Sequence, residues 1–269
     1  MCESPAFAEC SESAAIECPT AALSEHSATY AHNGQMSIRF EELDFQPTPM
    51  GDLTLRRRTD ATVGEIFEVK LGEEYLMSSL FTVAEEELSR LGLEAAVGSE
   101  LTVLVGGLGL GYTAIAALRD PRVTSMTVID TMPAVIDWHV RGLLPVSKVL
   151  TGDPRTRLVL DDFFQVMRDA PALTYDAILL DVDHSPRHQL DPSHADLYTV
   201  AGLAALKRHL SPGGVFALWS DDPPDAAFLE NLASVFASPV AHVVDFDNPV
   251  TGGTSSNTVY VGTVPSSVG

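Results

Sequence analysis

From residue 101 onward the chain alternates short apolar runs with amphipathic stretches, and this rhythm constrains the fold more than any other feature. The runs at 101–105, 123–129, 157–160, 177–180 and 215–219 are short and nearly continuous in apolar residues, as strands buried on both faces are. The stretches at 112–118, 134–144, 163–168, 197–209 and 225–236 carry apolar residues at helical spacing. Strand and helix in turn predict a parallel sheet covered on both sides. Two closing strands, 240–246 and 258–261, are joined by residues 247–257, a loop with Pro249 and Gly252-Gly253 and no helix. That pair is therefore predicted antiparallel, giving an α/β fold with a mostly parallel sheet and an antiparallel last strand.

Ahead of this region the periodicity differs. Residues 35–78 read as a small N-terminal β unit of three strands, at 36–43, 53–57 and 65–71, with turns at Gly51-Asp52 and Val63-Gly64. A connecting helix over 79–92, stopped by Gly92, opens the larger region 79–269. Residues 1–34 lack either period and read as a disordered tail that holds all three cysteines, Cys2, Cys10 and Cys18. The rest of the chain has no cysteine, so neither a disulfide framework nor a thiolate metal centre is expected there. With 16 Lys+Arg against 37 Asp+Glu, the formal net charge is −21. Such a surface repels phosphate backbones and anionic lipid heads, so nucleic acid and membranes are disfavoured as partners and a cationic or neutral small molecule is favoured. No apolar stretch is long enough to span a bilayer and no secretory pattern opens the chain, so the expected location is cytoplasmic.

Three features converge at the carboxyl ends of the predicted strands, where open α/β sheets bind their ligands. Gly106, Gly107, Gly109 and Gly111 make a glycine-rich turn between an apolar strand and a helix, where the backbone turns sharply and a ligand can approach it closely. Asp130 ends the next strand, nineteen residues after Gly111, in a place where a carboxylate can accept from two ribose hydroxyls. Asp161-Asp162 ends the third strand, where a carboxylate can accept from the exocyclic amine of adenine. The competing reading makes the turn a packing feature and the aspartates helix caps. A dinucleotide is argued against because the second half of the chain carries acidic loops in place of a second mononucleotide-binding unit.

After the fourth strand come Asp181, Asp183 and His184. Asp181 can hold a cationic amine and take its proton, and Asp183 adds negative charge beside it. The alternative is that both cap the loop. His184, His188 and His194 invite a metal reading, but Pro186 and Pro192 break any helix that would align them, so no metal is expected. His184 is instead a candidate substrate contact. Trp219, ending the fifth strand, either lines the substrate pocket or belongs to the core.

In this order the residues resemble the spermidine synthase (polyamine aminopropyltransferase) family, within the Rossmann-like methyltransferase superfamily, over about residues 50–262. Its glycine loop corresponds to residues 106–111, its ribose acid to Asp130, its Gly-Asp adenine motif to Asp161-Asp162, and its Tyr-Asp…Asp catalytic strand to Tyr175, Asp176 and Asp181. Leu210, Ser211, Pro212, Gly213 and Gly214 fit a later motif that many methyltransferases share. The family's loop Asp is replaced by Leu110 or Leu108. Its Ser-Ser-Asp-Pro is here Val182-Asp183-His184-Ser185-Pro186, and its Tyr-His-Glu is about Val83-Ala84-Glu85, with the preceding Gln near Met77. The resemblance implies transfer of an aminopropyl group from decarboxylated S-adenosylmethionine to an amine or other nucleophile. The alternatives are an S-adenosylmethionine-dependent methyltransferase and a non-catalytic nucleoside-binding protein. A homodimer is compatible with the resemblance and is not read from the residues.

Overall fold

The computed structural model describes residues 39–48 and 51–266. The cysteine-containing tail, and any role for it, lies outside the described residues. The described part opens with four antiparallel strands in the order β1 (Arg39–Thr48), β2 (Gly51–Asp60), β3 (Gly64–Leu71) and β4 (Glu74–Ser78). The fourth was not predicted. It follows β3 through a turn in which Gly72 takes φ +58°. Glu73, Glu74 and an exposed Tyr75 hide its strand character from hydropathy.

Helix α1 (Val83–Ala95) runs past the predicted stop at Gly92. That glycine serves packing: a Cβ there would lie 2.6 Å from Leu179 Cδ2 and 3.1 Å from the Ala217 Cβ. Next come β5 (Leu101–Gly106), α2 (Tyr112–Ala117), β6 (Val123–Asp130), α3 (Pro133–Val140) and α4 (Ser147–Gly152). Then follow β7 (Thr156–Leu160), α5 (Phe163–Arg168), β8 (Tyr175–Leu180), a 3-10 helix (Pro192–Tyr198) and α6 (Val200–Lys207). The chain closes with β9 (Leu210–Ser220), α7 (Ala226–Ala233), β10 (Ala237–Asn248) and β11 (Gly253–Thr263). The predicted helix over 197–209 is interrupted at Thr199, whose hydroxyl accepts from Gly202 N and caps α6. Most of the predicted loop 247–257 is strand, with Asn248 Oδ1 accepting from Val250 N and Thr251 N in the tight turn that remains.

Strands β5 to β11 form one sheet in the order β10-β11-β9-β8-β5-β6-β7, with β11 antiparallel to both neighbours and the rest parallel. This is the predicted fold class. Side-chain alternation along β5 sends Val103 and Val105 to one face and Leu104 to the other, each into its own hydrophobic cluster. The first cluster also takes Leu53, Leu55, Phe67 and Val69 from the small sheet and Leu88 and Leu93 from α1. Burying each such side chain is worth about 1.5–3 kcal/mol, so the small sheet and the large one share a core. Sharing it brings β4 over the carboxyl ends of the parallel strands. Among the described residues no helix is long and apolar enough to cross a membrane.

Candidate active site

A cavity of about 800 Å³ opens where β4 and α1 face the carboxyl ends of β5, β6, β8 and β9. The turn after β5 forms its floor. Gly107 has φ +92°, and a Cβ there would lie 1.9 Å from the Asp181 carbonyl oxygen, so no other residue fits. Gly109 has φ +46° and faces Met77 of β4, whose Sδ would be 3.1 Å from a Cβ. Its carbonyl accepts from His139 Nε2 at 3.0 Å, while Nδ1 of the same ring accepts from Ser147 Oγ at 3.2 Å. Burial holds the pKa of His139 below its ordinary value, which keeps the neutral tautomer this arrangement needs. Gly111, at φ +90°, backs onto His139 and Val146. Gly107, Gly109 and Gly111 all line the cavity. Gly106 is absent from the wall and packs beneath it, where a Cβ would strike Phe163 and Leu180.

Asp130 reaches the rim of the cavity with Oδ1 accepting from Met132 N at 2.8 Å and Oδ2 from Leu108 N at 2.9 Å. Burial raises its pKa and these backbone donors oppose the rise. With Gly109 N a third backbone donor, the carboxylate pins the glycine turn from the cavity wall. Asp162 lines the same wall and caps α5, Oδ1 accepting from Phe164 N and Gln165 N. The capping reading therefore holds for one of its oxygens and leaves the other available.

Asp181 and Asp183 part company. Asp181 lines the cavity, and its Oδ2 accepts from Thr113 Oγ1 at 2.6 Å. Burial pushes its pKa up to about 6, against the lowering effect of that hydrogen bond. Asp183 is off the cavity wall, and its catalytic role as read from sequence has no geometric basis. It is 1% exposed, and its carboxylate accepts from Leu190 N, His194 Nδ1 and Tyr198 Oη at 2.8, 2.8 and 2.7 Å. Those three bonds tie down the loop between β8 and α6.

The acidic group that feels the charge of Asp181 is Glu85, from the first turn of α1, which also lines the cavity. Burial, and next the Asp181 charge, push its pKa up to about 8. In the sequence Glu85 stands only as the counterpart of a family motif, since nothing local in a helix of consecutive glutamates marks which one turns inward. Thr113 went unnoticed altogether. Its one legible signal is a small hydroxyl residue in the first turn after a glycine loop.

His184 lines the cavity with Nε2 3.3 Å from Glu74 Oε1. Trp219 both packs against the core and lines the cavity, and its buried Nε1 has no hydrogen-bond partner among the described residues. The three loop histidines go to separate carboxylates: His184 to Glu74, His188 to Asp222 and His194 to Asp183. Among the described residues no group of three or more His, Cys, Asp or Glu is placed to hold a metal. No Lys or Arg among the described residues lines the cavity. Arg187 of the same loop pairs with Asp222 and Asp225 at 3.5 Å each, off the wall.

No family model matches the chain. It is 31% identical over 124 residues to a polyamine aminopropyltransferase of Mycobacterium tuberculosis, which covers 45% of this chain and 23% of that protein. It is 28% identical over 194 residues to putrescine N-methyltransferase 2 of Nicotiana tabacum, covering 72% of this chain and 52% of that one. The chain thus aligns with about half or less of these relatives' length. The crystal structure of a spermidine synthase in complex with the transition state analogue AdoDATO superposes with a TM-score of 0.66 at 17% identity, over 82% of this chain and 73% of that one. The spermidine synthase of Thermotoga maritima gives 0.64 at 17%, over 82% and 72%. The chain therefore has the spermidine synthase-like fold, a small β sheet followed by a Rossmann-like domain, and is a distant homologue of the polyamine aminopropyltransferases.

Proposed function

We propose that this chain transfers an aminopropyl group from a sulfonium adenosyl nucleoside to an amine. The observation that carries the reading is the pair Glu85 and Asp181 in a cavity whose wall has no Lys or Arg among the described residues. Two buried carboxylates without a cationic counter-residue suit ligands that bring positive charge with them. A sulfonium donor and an ammonium acceptor both do. Decarboxylated S-adenosylmethionine fits this wall better than S-adenosylmethionine, whose carboxylate would face acids with no guanidinium or ammonium to meet it.

In this reading Gly107 and Gly109 let the donor approach the backbone, Asp130 takes the ribose hydroxyls and the free oxygen of Asp162 takes the adenine amine. The acceptor nitrogen attacks the carbon beside S⁺ in line. A C–N bond forms, the C–S bond breaks, and its electron pair leaves with the neutral thioether nucleoside. Asp181 receives the proton that the nitrogen sheds. Alignment and an unprotonated nucleophile matter more here than a strong acid. His184 and Trp219 flank the acceptor, with Trp219 Nε1 as a donor awaiting a partner.

A methyltransferase is the second reading, supported by the likeness to putrescine N-methyltransferases over 72% of this chain. Both relatives' names speak of amine acceptors, so the donor divides the readings. A non-catalytic nucleoside binder would leave two unpaired buried carboxylates with no ligand to favour them. Calorimetry against the two donors decides. The aminopropyl reading expects decarboxylated S-adenosylmethionine to bind at least about tenfold tighter, the effect of about 1.4 kcal/mol. Equal or reversed affinities overturn it, and a methylated product from putrescine would establish the second reading.

A further inference from the structure

Asp181 is fixed in two ways. Its main chain is locked to the glycine turn, with Asp181 N donating to the Gly106 carbonyl at 2.8 Å and its own carbonyl against Gly107. Its side chain has one protein partner among the described residues, the Thr113 hydroxyl at 2.6 Å from Oδ2. Thr113 is 2% exposed, and its carbonyl accepts from the fully buried Ser89 Oγ at 2.7 Å, which clamps the start of α2 to α1. The Glu85 carbonyl is a second acceptor for the same hydroxyl, but at 3.4 Å. A hydroxyl has one hydrogen, and the shorter contact to a carboxylate takes it.

We propose that Thr113 is a positioning residue for the transfer reaction: its hydroxyl engages one oxygen of Asp181 and so presents the other to the acceptor amine. This rests on Asp181 acting as base in the reading above. Oδ1 has no protein partner among the described residues, and Asp181 stands on the cavity wall. Without the hydroxyl nothing fixes the carboxyl torsion, and the oxygen facing the acceptor becomes a matter of chance. The hydrogen bond also favours the ionised carboxylate, the form able to take a proton. The other titratable groups on the wall are Glu85 from α1, Tyr112 from α2, Tyr75 from β4, Asp130 and Asp162 after β6 and β7, and Asp221 after β9. The loop after β8 adds His184, Asp191 and His194. None of them donates a hydrogen bond to Asp181, so removing Thr113 leaves no substitute.

The test compares Thr113→Val, which keeps the shape, with Thr113→Ser, which keeps the hydroxyl. The readouts are carbon-13 titration of the aspartate carboxyls, and calorimetry with the thioether nucleoside and with putrescine. Thr113→Val should raise the Asp181 titration by about 1–2 pH units, the scale of a lost hydrogen bond to an ionised group. Thr113→Ser should restore it, and nucleoside affinity should stay within about twofold in both. Should the valine variant not fold, Thr113→Ala is read in the same way. An unmoved Asp181 titration in the folded valine or alanine variant overturns the inference. Failure of the reading itself looks different: Asp181→Asn would leave putrescine binding unchanged while Thr113→Val still shifted the Asp181 titration.

Discussion

Asp181 and Glu85 occupy one cavity and titrate far from the usual carboxylate range, at about 6 and about 8. Near neutral pH the pair therefore shares about one proton and carries about one negative charge between its two carboxyls. Asp181→Asn keeps the shape and removes the base, so single-turnover transfer should fall by about 10²–10⁴ with nucleoside binding nearly intact. Wild-type turnover at the wild-type rate in that variant would remove Asp181 from the chemistry. The wild-type rate should rise with pH as Asp181 ionises, and a second change near the Glu85 titration should vanish in Glu85→Gln. Asp130 offers a separate check. Because its oxygens already accept from Leu108 N and Met132 N, Asp130→Ala should loosen the glycine turn and remove the ribose acceptor together. The loss should be about 1.5–3 kcal/mol for the ribonucleoside and smaller for its 2′-deoxy form. Equal losses would limit Asp130 to bracing the turn.

The loop between β8 and α6 is anchored at one point, the buried Asp183 carboxylate with three donors. Asp183→Ala leaves Tyr198 Oη, His194 Nδ1 and Leu190 N short of a partner, at about 1–3 kcal/mol for each donor left unsatisfied. Proteolysis should then cut within residues 184–199 at lower protease, while turnover per folded molecule stays far above that of Asp181→Asn. Loss of activity without loop opening would return Asp183 to the catalytic centre. How an element's ends become visible in sequence differs from case to case. Strands β5, β8 and β9 were legible because burial on both faces leaves a nearly continuous apolar run. Strand β4 was not, because it pairs along one edge only and carries a glutamate and an exposed tyrosine. Gly92 misled because glycine in a helix normally marks its end, whereas here it admits Leu179. Asp130 and Asp181 were legible because they end apolar strands. Glu85 and Thr113 were not, since their role depends on how α1 and α2 rotate against each other.

At the scale of the whole molecule, a formal charge of −21 and a cavity wall without Lys or Arg among the described residues act in the same direction. Both raise the local concentration of cations, and both make it costly to ionise the buried pair. The pH dependence of stability carries this signature. Glu85 and Asp181 release their protons at higher pH in the folded chain than in the unfolded one, where ordinary values of 4.5 and 3.8 apply. Between those values and the folded ones the folded state binds more protons, so stability falls as pH rises. The contribution is complete below the unfolded pKa values and is lost as pH climbs through about 6 and then about 8. Surface aspartates such as Asp153, held by Arg155 at about 2, act oppositely and matter only in acid. Denaturant unfolding of the wild type and of Glu85→Gln from about pH 5 to 8 isolates the pair, because every other group is common to both. The variant should gain on the wild type as pH rises across that window. Saturating putrescine should narrow the gap by supplying the missing positive charge, and rising salt should weaken that rescue. Parallel curves without the amine would mean that Glu85 titrates normally. A rescue indifferent to salt would mean that the amine binds elsewhere than beside these carboxylates.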